Sequence, residues 1–171
     1  MEAGNKMEEN IKNEEIAVRN EIDEDTKKEI GFLEEIQRQF GSKGMKPEQY
    51  SALALAYIGD DVYDLIIRTL VLDQGNHRVK EFHKTTSGIV KAESQAKVVA
   101  AIEEELTEEE NAVFHRGRNA KSASSAKNAS IVDYRIATGL EALMGFLYLN
   151  GQMDRACELI KMGLDRTGLF E

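Results

Sequence analysis

The chain has 171 residues, 42% of them hydrophobic, which is enough for one domain with a real core and argues against global disorder. Its net charge of −9 and pI near 5.0 exclude general attraction to a polyanion, so any contact with nucleic acid must be local. A single cysteine, Cys157, excludes an internal disulfide and a cysteine-cluster metal site, and three scattered histidines speak against zinc.

Residues 1–46 are rich in Glu, Asn and Lys with broken apolar spacing, which predicts a charged extension, loosely helical or partly disordered, ending at Gly41-Ser-Lys-Gly44. The acidic N-terminus and the lack of any run of about eighteen apolar residues predict a soluble cytoplasmic protein without membrane association. Pro47 opens the main domain, residues 47–171, at the first turn of a helix expected to run to about Leu72. On it Leu53, Ala56, Tyr57, Asp60, Asp64, Ile67 and Val71 form one stripe at three- and four-residue spacing, which predicts an inward face carrying Asp60.

Gln74-Gly-Asn-His77 breaks that helix; a short helix is expected over Val79 to Lys84 and a long one over Ser87 to Leu106, with Thr86 and Ser87 as caps. Thr107-Glu-Glu-Glu110 is a capping-box start, and Arg116 to Ala129, rich in Gly, Ser, Asn and Lys, reads as the longest loop of the domain. Ser130-Ile-Val-Asp133 can cap a helix reaching Leu149, Asn150-Gly151 stops it, and Met153 to about Leu164 forms the last helix, with Cys157 as a small buried side chain. No alternating strand pattern of useful length occurs, so the fold is expected to be all-α.

Asp60 and Glu141 are set inside apolar helical segments with no cation one turn away. A buried carboxylate without a partner costs several kcal/mol, roughly, and this points to a shared metal ion. Gly59 and Ala56 beside Asp60, and Gly139, Ala142 and Gly145 around Glu141, would let two helix backbones approach closely enough for both acids to reach it. After the acidic block Glu103 to Glu110, the cations Arg116, Arg118, Lys121, Lys127 and Arg135 face only Asp133, a segment suited to phosphate. Two metal-holding acids beside phosphate-binding cations suggest hydrolysis of a nucleic-acid backbone.

Three segments, Leu53-Ala-Leu-Ala-Tyr-Ile-Gly-Asp60, Arg116-Gly-Arg-Asn-Ala-Lys121 and Tyr134-Arg-Ile-Ala-Thr-Gly-Leu-Glu-Ala-Leu143, together resemble the mini-ribonuclease III family over about residues 48 to 168. The stretch His83-Lys-Thr-Thr-Ser-Gly-Ile-Val-Lys-Ala-Glu-Ser-Gln95 is also similar to it. The resemblance implies a ribonuclease III endonuclease-like helical domain without a double-stranded-RNA-binding module, acting as a homodimer. It further implies magnesium-dependent cleavage of double-stranded RNA, leaving 5′-phosphate and 3′-hydroxyl ends, and a role in maturing the precursor of 23S ribosomal RNA. By position, Asp60 and Glu141 would be the catalytic acids that bind Mg²⁺, and Arg116, Arg118, Asn119, Lys121 and Lys127 would contact RNA. Full-length ribonuclease III enzymes have a glutamate at the position of Ala56 and an aspartate at that of Thr138, and the mini branch shares such replacements. Asp64 would stand in reserve for a role around the ion.

Other expectations remain open on the same residues. One keeps the fold and the RNA contact but drops the chemistry, leaving a catalytically inactive RNA-binding or ribosome-assembly protein; another is a plain helical interaction module.

Overall fold

In the computed structural model, which describes residues 31–121 and 130–170, three helices of the main unit start where a side chain satisfies one of their free N–H groups. The chain divides after Lys43 into two units. The first holds helix α1 (Phe32–Phe40), closed by Gly41 at φ 62°, whose N–H bonds the carbonyl of Gln37. What the sequence suggests for residues 1–30 lies outside the described residues.

The unit from Gly44 onward contains α2 (Ala52–Asp73), α3 (Val79–Val90), α4 (Ala92–Ile102), α5 (Glu108–Arg118), α6 (Ile131–Leu149) and α7 (Met153–Thr167), with no strand among the described residues. Pro47 begins a single 3-10 turn rather than α2 itself. Tyr50 then turns extended, and the Ser51 hydroxyl accepts the Ala54 N–H at 3.1 Å, so the serine and not the proline sets the helix start. At α5 the Thr107 hydroxyl accepts the Glu110 N–H at 3.2 Å while the Glu110 carboxylate accepts the Thr107 N–H at 2.8 Å, the reciprocal capping expected there. Ser130 starts α6 through a 3.0 Å bond from the Asp133 N–H, and Gly151 at φ 70° follows its end.

One expected boundary moves. The helical segment from Val79 runs unbroken to Val90, the break falls at Lys91, whose ψ of 149° is extended, and α4 ends at Ile102. Thr86 and Ser87 therefore sit inside α3 rather than capping a helix. The side chain that stitches the corner is Ser94, whose hydroxyl donates to the Gly88 carbonyl at 2.7 Å.

α6 is the hub, packed by α2, α4, α5 and α7. From Ala137 to Tyr148 it is buried at every position but Glu141, as a helix enclosed by others must be. Leu140, Leu143, Met144 and Leu147 are fully buried, each contributing about 2 kcal/mol of transfer free energy. Two of its faces are flat. A Cβ on Gly59 would lie 1.7 Å from the Glu141 carbonyl oxygen and one on Gly145 2.1 Å from that of Leu55, so α2 and α6 touch backbone to backbone. On the other side, Gly117 meets the Ala142 methyl and Gly139 meets the Phe114 ring, with Cβ distances of 2.7 and 2.6 Å. The small residues picked out beside the two acids do serve close helix approach.

α7 is held to the acidic block by ionic contacts. Arg155 bonds the buried Glu110 carboxylate at 2.8 and 3.1 Å and the Glu105 carbonyl at 2.8 Å, and Arg166 reaches Glu105 at 2.7 Å. Cys157, expected inside, is exposed, because α7 turns Ala156, Leu159, Ile160 and Leu164 inward and leaves residue 157 on the outer face.

Gly59→Ala and Gly145→Ala are each expected to destabilise the protein by about 3 kcal/mol or more, since the added methyl meets backbone that cannot yield. Gly88→Ala, with open space at its Cβ, should instead raise stability by about 0.5–1 kcal/mol. Urea unfolding of the three variants checks the contrast.

Candidate active site

α2 turns inward a different face from the one its spacing suggests. Ala52, Leu55, Ala56, Gly59, Val62, Tyr63, Ile67 and Val71 are buried, whereas Leu53 and Tyr57 are exposed, Tyr57 at 78%. At 100° per residue the buried face is centred about a quarter turn from the expected stripe. Asp61, Asp64 and Arg68 lie on the side away from that buried face, and the backbone contact at Gly59 fixes the inner one.

Asp60, expected on the inward face, is consequently exposed, at the edge where the buried face of α2 meets solvent. Partial burial, then the charges of Asp61 and Asp64, raise its pKa above the ordinary carboxylate value. Asp64 itself is paired with Arg68 one turn on.

Glu141 lies on α6 directly across the crossing, since its own carbonyl is what Gly59 packs against. Burial pushes its carboxyl up to about 7, the Asp60 charge adds to the rise, and a hydrogen bond from the Gln95 side chain works against it. The two acids predicted from the sequence are thus brought within electrostatic reach of one another, and the charge acting on each is negative. A pair of carboxyls in that state favours a cation between them or a proton on one.

The donor set fits a hard divalent cation, which takes oxygen ligands. Among the described residues no group of three or more His, Cys, Asp or Glu gathers into a metal cage. Two carboxylates would therefore hold such an ion, with most of its remaining positions open to water or phosphate oxygen. Ala56 is buried, and Thr138 is buried with its hydroxyl donating to the Tyr134 carbonyl at 3.0 Å, so neither position adds an acid.

The cations are arranged differently from the expected loop. α5 continues through Arg118, and Asn119 ends it with its N–H on the His115 carbonyl at 3.0 Å. Arg116 and Arg118 point to opposite sides of the helix. Arg118 lines a groove of about 200 Å³ with Ala96, Val99, Glu103 and Ile136, whereas Arg116 lines a separate one with Glu48, Glu109 and Phe146. Asn119 and Lys121 are exposed beyond Arg118. Lys127 lies outside the described residues.

Gln95 is the site residue that sequence reasoning passed over. Its only signal was a place in the stretch ending α3 and opening α4; its contact with Glu141, forty-six positions on, appears only in the folded chain.

Comparison with known proteins shows the family. Residues 53–152 match the Ribonuclease III domain. The chain is 47% identical to a Mini-ribonuclease 3 of Clostridium tetani over 67% of this chain and 77% of that protein. It is 42% identical to one of Enterococcus faecalis over 71% and 93%. A crystal structure of a Fusobacterium nucleatum protein, 27% identical, superposes with a TM-score of 0.65 over 72% of this chain and 99% of the other.

The raised Glu141 carboxyl sets a pH dependence. Unfolded, Glu141 loses its proton near the ordinary value of 4.5; folded and metal-free, it keeps the proton to about 7, so stability falls as pH rises between the two and then levels off. The loss is about 3 kcal/mol at about 1.4 kcal/mol per unit. Calorimetry in a chelator should show a higher melting temperature at pH 5 than at pH 7.5, and Glu141→Gln should flatten the curve. A wild-type curve that rises over this range would contradict the buried placement.

Proposed function

Because the chain belongs to the ribonuclease III family, in its mini-ribonuclease III branch, we propose that Asp60 and Glu141 are the acids through which this endoribonuclease cuts double-stranded RNA with Mg²⁺ as cofactor. The observation that carries the reading is that two acids from helices far apart in sequence flank one backbone-to-backbone crossing, where the Asp60 charge helps to raise the Glu141 carboxyl. A divalent cation bound there supplies a water of lowered pKa and counter-charge for the scissile phosphate.

The chain's own residues do the rest. Asp60, open to solvent on one side, faces the RNA; Glu141 approaches from the protein interior and is held by Gln95. Water oxygen bonds to phosphorus as the 3′ oxygen departs, leaving 5′-phosphate and 3′-hydroxyl ends. Arg118, Asn119 and Lys121, at and beyond the end of α5, bind phosphates or ribose hydroxyls along the duplex, with Arg116 reaching the backbone from the other side of α5, and the family resemblance adds Lys127 to the RNA-binding residues. Duplex RNA is recognised mainly by shape, phosphates and 2′-hydroxyls, so a few cations suffice on a chain whose net charge is negative. The mini-ribonuclease III resemblance supports the precursor of 23S ribosomal RNA as substrate, in the cytoplasm.

A second copy of the chain completes the assembly. Leu53, Tyr57, Leu65 and Leu72 stand exposed on the outer face of α2, with Val79 exposed at the start of α3, more apolar surface than a solvated helix needs. Covering that face by a symmetric partner would set two active sites side by side.

Asp60→Asn and Glu141→Gln are each expected to lower cleavage of a double-stranded RNA by at least about 100-fold, as is removal of Mg²⁺ by chelator, while circular dichroism stays native. Arg118→Ala should weaken RNA binding and reduce the salt slope of log K by about one, read by filter binding between low and moderate salt. RNA binding without cleavage in any divalent cation would make the chain the inactive RNA-binding protein instead. Sedimentation of Tyr57→Glu should give a monomer where the wild type gives a dimer.

A further inference from the structure

Gln95 is 1% exposed, one of the few polar side chains in the core, and it occupies the first turns of α4 where that helix packs on α6. Its amide is used unevenly. The N–H₂ end neighbours the Glu141 carboxylate and favours its ionised form, against both burial and the charge of Asp60. The Oε1 end is buried with no hydrogen-bond partner.

That asymmetry is hard to account for by packing. A methionine has nearly the same length and volume, needs no hydrogen bonds, and would leave no unpaired carbonyl in the core. Keeping an amide here makes sense if the N–H contact is needed. The backbone around it is also fixed: its own N–H bonds the Lys91 carbonyl at 3.0 Å, and the adjacent Ser94 hydroxyl ties α4 to the end of α3. The donor is therefore presented to Glu141 from a rigid corner, not from a mobile side chain.

We propose that Gln95 is the positioning residue of the acidic pair: it holds the Glu141 carboxylate in one orientation across the α2–α6 crossing, so that the two carboxyls present oxygen atoms to a divalent cation already aligned. Gln95 touches neither RNA nor the reacting atoms and acts only through Glu141. This rests on the reading of Asp60 and Glu141 as metal ligands. Hydrogen bonds to ligating carboxylates commonly govern cation affinity by about 10–100-fold, which is the scale expected here.

The test is Mn²⁺ binding to the full chain without RNA, followed by paramagnetic resonance of the free ion, for the wild type, Asp60→Asn, Glu141→Gln, Gln95→Met and, should the methionine variant not fold, Gln95→Asn, whose shorter amide cannot reach Glu141. The proposal expects Gln95→Met to weaken Mn²⁺ binding at least about tenfold with native circular dichroism. In cleavage assays kcat at low Mg²⁺ should fall while KM for RNA holds, and raising Mg²⁺ should restore kcat, a recovery that a packing defect would not show. Unchanged Mn²⁺ affinity in a folded Gln95 variant, while Asp60→Asn and Glu141→Gln weaken it, overturns the role of Gln95 alone. Unchanged affinity in those two acidic variants overturns the site itself.

Discussion

The approach of α2 and α6 to backbone contact at Gly59 and Gly145 is the constraint from which the site follows. Without a side chain at either glycine the two helices touch, and a residue next to one of them faces a residue four before the other. Asp60 and Glu141 are those residues. Any larger residue at 59 or 145 would push the helices apart, and a cation cannot bridge carboxylates that do not converge. Packing and chemistry thus depend on the same two absent methyl groups, which couples the fold's tolerance of mutation at these points to the function.

The second pair of close contacts, Gly117 with Ala142 and Gly139 with Phe114, does for α5 what the first does for α2. α6 is clamped from two sides, and the end of α5, where Arg118, Asn119 and Lys121 emerge, is fixed relative to Glu141 by contacts at Ala142 and Gly139, one and two residues from that acid. The cations leave α5 on diverging sides because residues two apart on a helix lie about 200° apart. A duplex lying across the site would meet Arg118 and Arg116 as separate contacts, spread along its backbone.

What was legible in the sequence is what local chemistry decides. Thr107 with Glu110, Ser130 with Asp133 and the glycine after Asn150 mark helix ends through hydrogen bonds within a few residues, and they stand where the residues place them. The orientation of α2 was misjudged because the expected stripe counted Asp60 and Asp64 as inward, whereas the side away from Asp61, Asp64 and Arg68 is the one that packs against the backbone of Glu141. The corner at Lys91 escaped for a different reason: Lys91 carries no breaker residue, and only the Ser94 to Gly88 bond across the turn explains why the helix stops there. Gln95 was invisible because a buried glutamine is recognised by its partner, and that partner lies on another helix.

The small number of acids at the site has its own logic. Full-length ribonuclease III enzymes, which this chain resembles, carry acids at the positions of Ala56 and Thr138. Both positions here are buried, and Thr138 spends its hydroxyl on its own helix. Each further carboxylate would raise the repulsion that already pushes Glu141 up to about 7, so two acids cost the apo fold less than four. The same economy leaves a cation with fewer protein oxygens, so orientation matters more for each one that remains. If Asp60 and Glu141 hold the cation as proposed, a rigid neighbour behind one of them has the greatest leverage on affinity, and Glu141, the more deeply buried of the pair, is the one with Gln95 beside it.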